Sequence, residues 1–198
     1  MARPLVLATG NRGKARELQA LLGPGFELLL QSDLGIEAVE ETGVSFEENA
    51  LLKARNAAAA TGLPALADDS GLEVDALGGA PGVWSARYAG PAASDAENID
   101  RLLRELDAVP DARRTARFRC VLVWLRSADD PAPLITTGTW EGRIARVPRG
   151  TFGFGYDPVF IDLATGLTAA ELSPERKNDV GHRGQALRDL ARQLAESA

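Results

Sequence analysis

The sequence predicts an α/β fold, a central mixed β-sheet flanked by helices. Three observations lead there: strands alternate with helices early in the chain, two β-rich runs in the middle are joined as a hairpin, and helical periodicity returns at the C-terminus. Length agrees, since 198 residues suit a single domain over positions 1–198. Folding a chain of that size buries about 70% of the surface that the unfolded chain exposes.

Each element has a local reason. Pro4 to Ala8 is apolar and stops at Thr9-Gly10-Asn11, which reads as a buried strand ending in a turn. Ala15, Leu18, Leu21 and Leu22 then fall at helical spacing, with the helix starting near Gly13 or Lys14. Phe26 to Leu30 is the next strand. Ser45-Phe46-Glu47-Glu48 is a capping box, and the apolar positions after it carry a helix to Thr61-Gly62. A strand from Ala65 delivers Asp68, Asp69 and Ser70 onto a turn at Gly71. Ser94-Asp95-Ala96-Glu97 caps a helix with an Ile99, Leu102, Leu103, Leu106 stripe. Arg117 to Arg126 and Leu134 to Trp140 form the hairpin around Asp129-Asp130-Pro131, and Gly142 to Val147 pairs next. Gly150 to Pro158 interleaves glycines with aromatics and is a loop. Ser173-Pro174 opens a short helix, and Ala186, Leu187, Leu190, Ala191 and Leu194 mark the last one.

Composition narrows the function. No apolar run approaches the roughly 20 residues of a membrane span, and the first residues lack a leader's apolar stretch, so a cytoplasmic protein away from membranes is expected. A net charge of −6 argues against a nucleic-acid face, yet cations gather at Arg12 and Lys14, at Lys53 and Arg55, and at Arg176, Lys177, His182 and Arg183. Local basic clusters on an acidic protein suit a small anionic ligand. The single cysteine, Cys120, reads as a core residue, and a single histidine cannot build a zinc cluster. General-base chemistry therefore falls to a carboxylate.

Three stretches carry candidate chemistry. Thr9-Gly10-Asn11-Arg12-Gly13-Lys14 joins a strand to a helix N-terminus, where turn amides, the helix dipole and a lysine favour phosphate, although the glycine spacing is not that of a Walker loop. Asp68 and Asp69, read alone, form either a solvated turn or, with Glu41, the one or two carboxylates that Mg²⁺ takes beside phosphate oxygens. Phe154 and Tyr156 belong either to the core or, between glycines, to a stacking surface for a base. Lys177, His182 and Arg183 equally fit a solvated helix face.

These stretches, with Phe46-Glu47-Glu48-Asn49-Ala50, Gly79-Ala80-Pro81-Gly82, Ser85-Ala86-Arg87-Tyr88 and His182-Arg183-Gly184-Gln185-Ala186-Leu187, occur together and in order. The set resembles the inosine triphosphate pyrophosphatase family, also called dITP/XTP pyrophosphatases, from about Leu5 to about Leu190. The resemblance implies hydrolysis of non-standard purine nucleoside triphosphates to the monophosphate and pyrophosphate with Mg²⁺. It implies an elongated two-lobed molecule, the active site in the cleft between lobes, and a homodimer. By the same resemblance Thr9, Gly10, Asn11, Arg12, Gly13 and Lys14 bind substrate, with Lys53 as a second phosphate contact. Asp69 is metal ligand and base, Glu41 a further metal ligand, and Asp68 stands behind them. Ser70 contacts substrate. Phe154, Gly155, Tyr156 and Asp157 form the base pocket, and Lys177, His182 and Arg183 read the 6-oxo edge. One departure is Gly181, where the family usually has serine. A nucleotide sensor without turnover, or a pyrophosphatase for pyrimidine or modified nucleotides, is the competing reading.

Overall fold

The computed structural model describes residues 2–22 and 25–196. Met1, Ser197 and Ala198, the ends of the expected single domain, lie outside the described residues. Among the described residues six strands, numbered β1 to β6 in chain order, form one mixed sheet in the order β2-β1-β3-β4-β5-β6. The chain divides into two compact units, Met1–Asp69 with Cys120–Gly138 and Arg183–Ala198, and Ser70–Arg119 with Thr139–His182.

In the first unit β1 (Arg3–Ala8) leads through α1 (Arg12–Leu22) to β2 (Phe26–Leu30), which lies parallel to β1 with Leu5 opposite Leu28. α2 (Phe46–Thr61) returns the chain to β3 (Ala65–Val74), parallel to β1 on its other side. A strand with parallel neighbours on both edges buries both faces, so β1 reads as the continuous run Leu5-Val6-Leu7-Ala8, all buried. The core here joins Leu5, Leu7, Leu18, Leu66, Leu122 and Leu190, the last from α5 (His182–Glu196). Cys120 belongs to it, as expected.

The second unit holds α3 (Asp95–Glu105), the first part of β4 (Thr115–Leu125), the latter part of β5 (Leu134–Ile144), β6 (Phe160–Asp162) and α4 (Pro174–Val180). Its core centres on Leu72, Ile99, Leu102, Phe118, Trp140 and Phe160. Ser94 and Glu97 make the full reciprocal capping box at α3.

Three expectations change. β3 does not end at Asp68-Asp69-Ser70-Gly71 but runs through it to Val74, so the acids sit mid-strand. Their charges are met by cations from other elements, which removes the need for a solvated end. Gly142 to Val147 is not a separate strand: β5 continues to Ile144 and pairs antiparallel with β6, Gly142 opposite Asp162. The three-residue β6 is too short to show periodicity. α1 begins at Arg12, slightly before the expected start, because Asn11 caps it.

Candidate active site

The first unit gathers the acids and lysines. Asp68 and Asp69 are neighbours on β3, and successive strand residues face opposite ways, so they meet different partners. Asp68 is fully buried; Lys14 Nζ lies 2.5 Å from Oδ1 and Arg183 Nε 3.2 Å from Oδ2. The Cys120 thiol donates to the same Oδ2 at 3.1 Å, and Arg183 Nη1 reaches Glu17 Oε2 at 2.7 Å. Burial pushes the Asp68 carboxyl up, but Lys14 and Arg183 outweigh it and hold the group well below the usual carboxylate range. Burial likewise works against the charge on Arg183, and Asp68 and Glu17 raise its pKa regardless.

Asp69 sits in a second cluster. Lys53, from α2, places Nζ 2.8 Å from Asp69 Oδ1 and 2.7 Å from Glu41 Oε1. Burial raises the Asp69 carboxyl; Lys53 and Lys14 pull the other way without cancelling it, and Glu41 adds to the rise. Two adjacent acids are thus driven apart, Asp68 kept ionised and Asp69 made more basic, the pattern expected when one carboxylate orders a site and the other moves a proton.

Among the described residues no three acids, histidines or cysteines converge as a metal-holding group. Glu41 Oε1 and Asp69 Oδ1 do converge on one point, held by an ammonium standing where a cation fits. Two carboxylates plus substrate oxygens and water suit Mg²⁺.

The Thr9 to Lys14 turn follows β1. Thr9 Oγ1 accepts from the Asn11 N–H at 3.1 Å, and Asn11 Oδ1 accepts from the N–H groups of Gly13 at 2.8 Å and Lys14 at 3.1 Å. Asn11 is therefore the N-cap of α1, and two amides expected to face a phosphate donate to its side chain. Gly10 and Arg12 are exposed.

The second unit carries the remaining expected residues. Ser70 is half-buried on β3. Asp157, buried, accepts from the Phe154 N–H at 2.8 Å and from Lys177 Nζ at 2.5 Å through the same Oδ2. Lys177 Nζ also lies 4.9 Å from the Phe154 ring centroid. Gly153, at φ +81°, permits this loop: a Cβ there would sit 2.0 Å from Asp157 Oδ2. Gly155 donates its N–H to Asp95 Oδ2 at 2.7 Å. Tyr156 is buried, its hydroxyl donating to the Ser85 carbonyl at 2.9 Å, so its ring serves the core, while Phe154 stays half-buried. His182 stacks on Phe118 with centroids 4.8 Å apart.

The structure thus brings together Glu41, Lys53 and Asp69, and separately Lys14, Asp68 and Arg183. Within the second unit it joins Phe154, Asp157 and Lys177. His182 and Arg183, adjacent in sequence, belong to different units. Sequence reasoning missed Glu17 and Asp95. Glu17 lies one helical turn after Lys14, a spacing that could have flagged it; Asp95 carried no sign beyond its place in a capping box. Gly181 closes α4 by donating to the Lys177 carbonyl at 2.8 Å, and a Cβ there would lie 2.6 Å from that oxygen, so serine requires a different junction.

The sequence has close relatives. The profile of the Ham1 family matches residues 5–193. A dITP/XTP pyrophosphatase of Methylococcus capsulatus is 64% identical over 195 residues, 98% of this chain and 97% of that protein. The solved structure of a HAM1 protein from Coxiella burnetii, 50% identical, superposes with a TM-score of 0.89 over 99% of this chain and 100% of its own. A nucleoside-triphosphatase / dITP/XTP pyrophosphatase from Mycobacterium abscessus, 45% identical, gives 0.76 over 94% and 98%. The chain belongs to the Ham1 family.

Proposed function

We propose that the protein hydrolyses non-standard purine nucleoside triphosphates, ITP, dITP and XTP, to the monophosphate and pyrophosphate, and that it does so with Mg²⁺. The observation that carries this reading is the trio Glu41, Lys53 and Asp69, two acids and a lysine meeting at one largely shielded point, in a chain 64% identical to a dITP/XTP pyrophosphatase. A protein that only bound triphosphate would gain nothing from acids beside phosphates unless a metal intervened, which disfavours the sensor.

Glu41 and Asp69 are the residues that would hold Mg²⁺, and the ion when bound supplies positive charge to the phosphate oxygens. Asp69, made more basic by burial, takes the proton of the water that attacks the α-phosphorus. Lys14 and Lys53 stabilise the charge that develops on the departing pyrophosphate. Asp68 keeps Lys14 in place, itself anchored by Arg183. By the resemblance, Thr9 to Lys14 bind substrate, chiefly its phosphates, and Ser70 contacts substrate. By the same resemblance, Phe154 stacks on the purine and Lys177, His182 and Arg183 recognise the 6-oxo edge. A 6-amino purine would leave those donors unpaired, at about 1–3 kcal/mol for each buried group. On the resemblance, the chain acts as one domain over residues 1–198 and as a cytoplasmic homodimer. Among the described residues no helix is long and apolar enough to cross a membrane.

Pyrophosphate release from ITP, dITP, XTP, GTP, ATP and dUTP, each with and without Mg²⁺, tests the reading. Turnover confined to the first three and dependent on the metal supports it. Preference for dUTP, or binding without turnover, rejects it.

A further inference from the structure

We propose that Lys53 is a built-in stand-in for the divalent cation: without metal its ammonium holds Glu41 and Asp69 together, and metal binding releases it toward the substrate phosphates. The proposal rests on the reading that the metal sits between those two acids.

The geometry is that of a cation site with an ammonium in it. One nitrogen touches Asp69 Oδ1 at 2.8 Å and Glu41 Oε1 at 2.7 Å. The three side chains come from different elements: Lys53 from α2, Asp69 from β3, and Glu41 from the irregular segment before α2. All three are substantially buried, with side-chain exposures of 12%, 8% and 26%. Acids brought together in that setting need a positive charge between them. Lysine is suited to a removable one, a compact charge on a flexible four-carbon stem, where the planar guanidinium of arginine would hold its carboxylate in a fixed fork.

A metal ion bound to the same two oxygens would lie against the ammonium, and like charges at that distance repel. The ammonium must swing away as the metal enters. Metal alone therefore binds with reduced affinity, because the competent arrangement is the minority one. A triphosphate offers the displaced ammonium new oxygens, so metal and nucleotide tighten each other's binding. Lys53 would thus couple loading of the metal to arrival of the substrate.

The test measures Mn²⁺ binding to the nucleotide-free protein by the electron paramagnetic resonance of the free ion. Lys53→Met and Lys53→Gln are expected to bind Mn²⁺ at least about tenfold tighter than wild type. Glu41→Gln and Asp69→Asn are expected to bind it more weakly. Equal or weaker binding by the folded Lys53 variants, with Glu41→Gln and Asp69→Asn still impaired, overturns the proposal and leaves the metal reading standing. Wild-type affinity in both Glu41→Gln and Asp69→Asn overturns the metal reading, and the proposal with it. A measurement on the wild type needs no variant to fold: acetylation of Lys53 by acetic anhydride, followed by mass spectrometry, should rise when Mg²⁺ is added. Labelling that stays the same or falls overturns the proposal.

Discussion

Asp68 and Asp69 share a peptide bond and little else. Strand alternation points one at Lys14, Arg183 and the Cys120 thiol, the other at Lys53 and Glu41. Asp68, outnumbered by cations, stays ionised and orders its neighbours. Asp69 has the burial without the same excess of positive charge, and so the basicity that proton abstraction asks for. At saturating Mg²⁺ and ITP, replacing Asp69 by Asn should lower kcat by about a hundred- to ten-thousand-fold, as steady-state kinetics would show. Retention of more than a tenth of the wild-type kcat would remove Asp69 from the role of base. Phe154 is a separate case, a half-buried ring with the Lys177 ammonium near its face. Phe154→Ala should raise KM for ITP by about tenfold and narrow the preference for ITP over ATP, the loss expected when one stacked base loses its platform. Kinetics indistinguishable from wild type would return Phe154 to the core.

At the scale of elements, α1 depends on Asn11, which caps two of its first amides. Asn11→Ala should cost about 1 kcal/mol in urea unfolding, the usual toll of an N-cap, and unchanged stability would deny the cap. The elements themselves were largely readable in the sequence. β1, β2, α2, α3 and the β4–β5 hairpin follow from apolar runs, capping boxes and turn residues, all local features. What was not readable is where distant chain segments meet. A strand candidate interrupted by Asp68-Asp69-Ser70-Gly71 looks finished because acids avoid strand interiors; only Lys14, Lys53 and Arg183, far away in sequence, make the continuation possible. The same limit applies to the site. Its acids and lysines were identifiable by type, but the partition of Lys14 to Asp68 and Lys53 to Asp69 is tertiary, as is the bond from the Gly155 amide to Asp95.

On the scale of the whole molecule, the buried charges tie stability to pH. The folded-state pKa of Asp68 lies below its unfolded value of about 4. A depressed carboxyl contributes stability that is present above the unfolded pKa and is lost as pH falls through and below it. Thermal melts should therefore be near level from about pH 7 to about pH 5 and fall steeply below about pH 4; a melting temperature that stays level into strong acid would contradict the account of Asp68. In the proposed reaction, a water activated by Asp69 attacks the α-phosphorus. The most direct test is hydrolysis of dITP by the wild-type protein with Mg²⁺ in water labelled with heavy oxygen, followed by mass spectrometry of both products. The account predicts one labelled oxygen in dIMP and none in pyrophosphate. Label in the pyrophosphate, or release of orthophosphate with dIDP in place of dIMP, would contradict it.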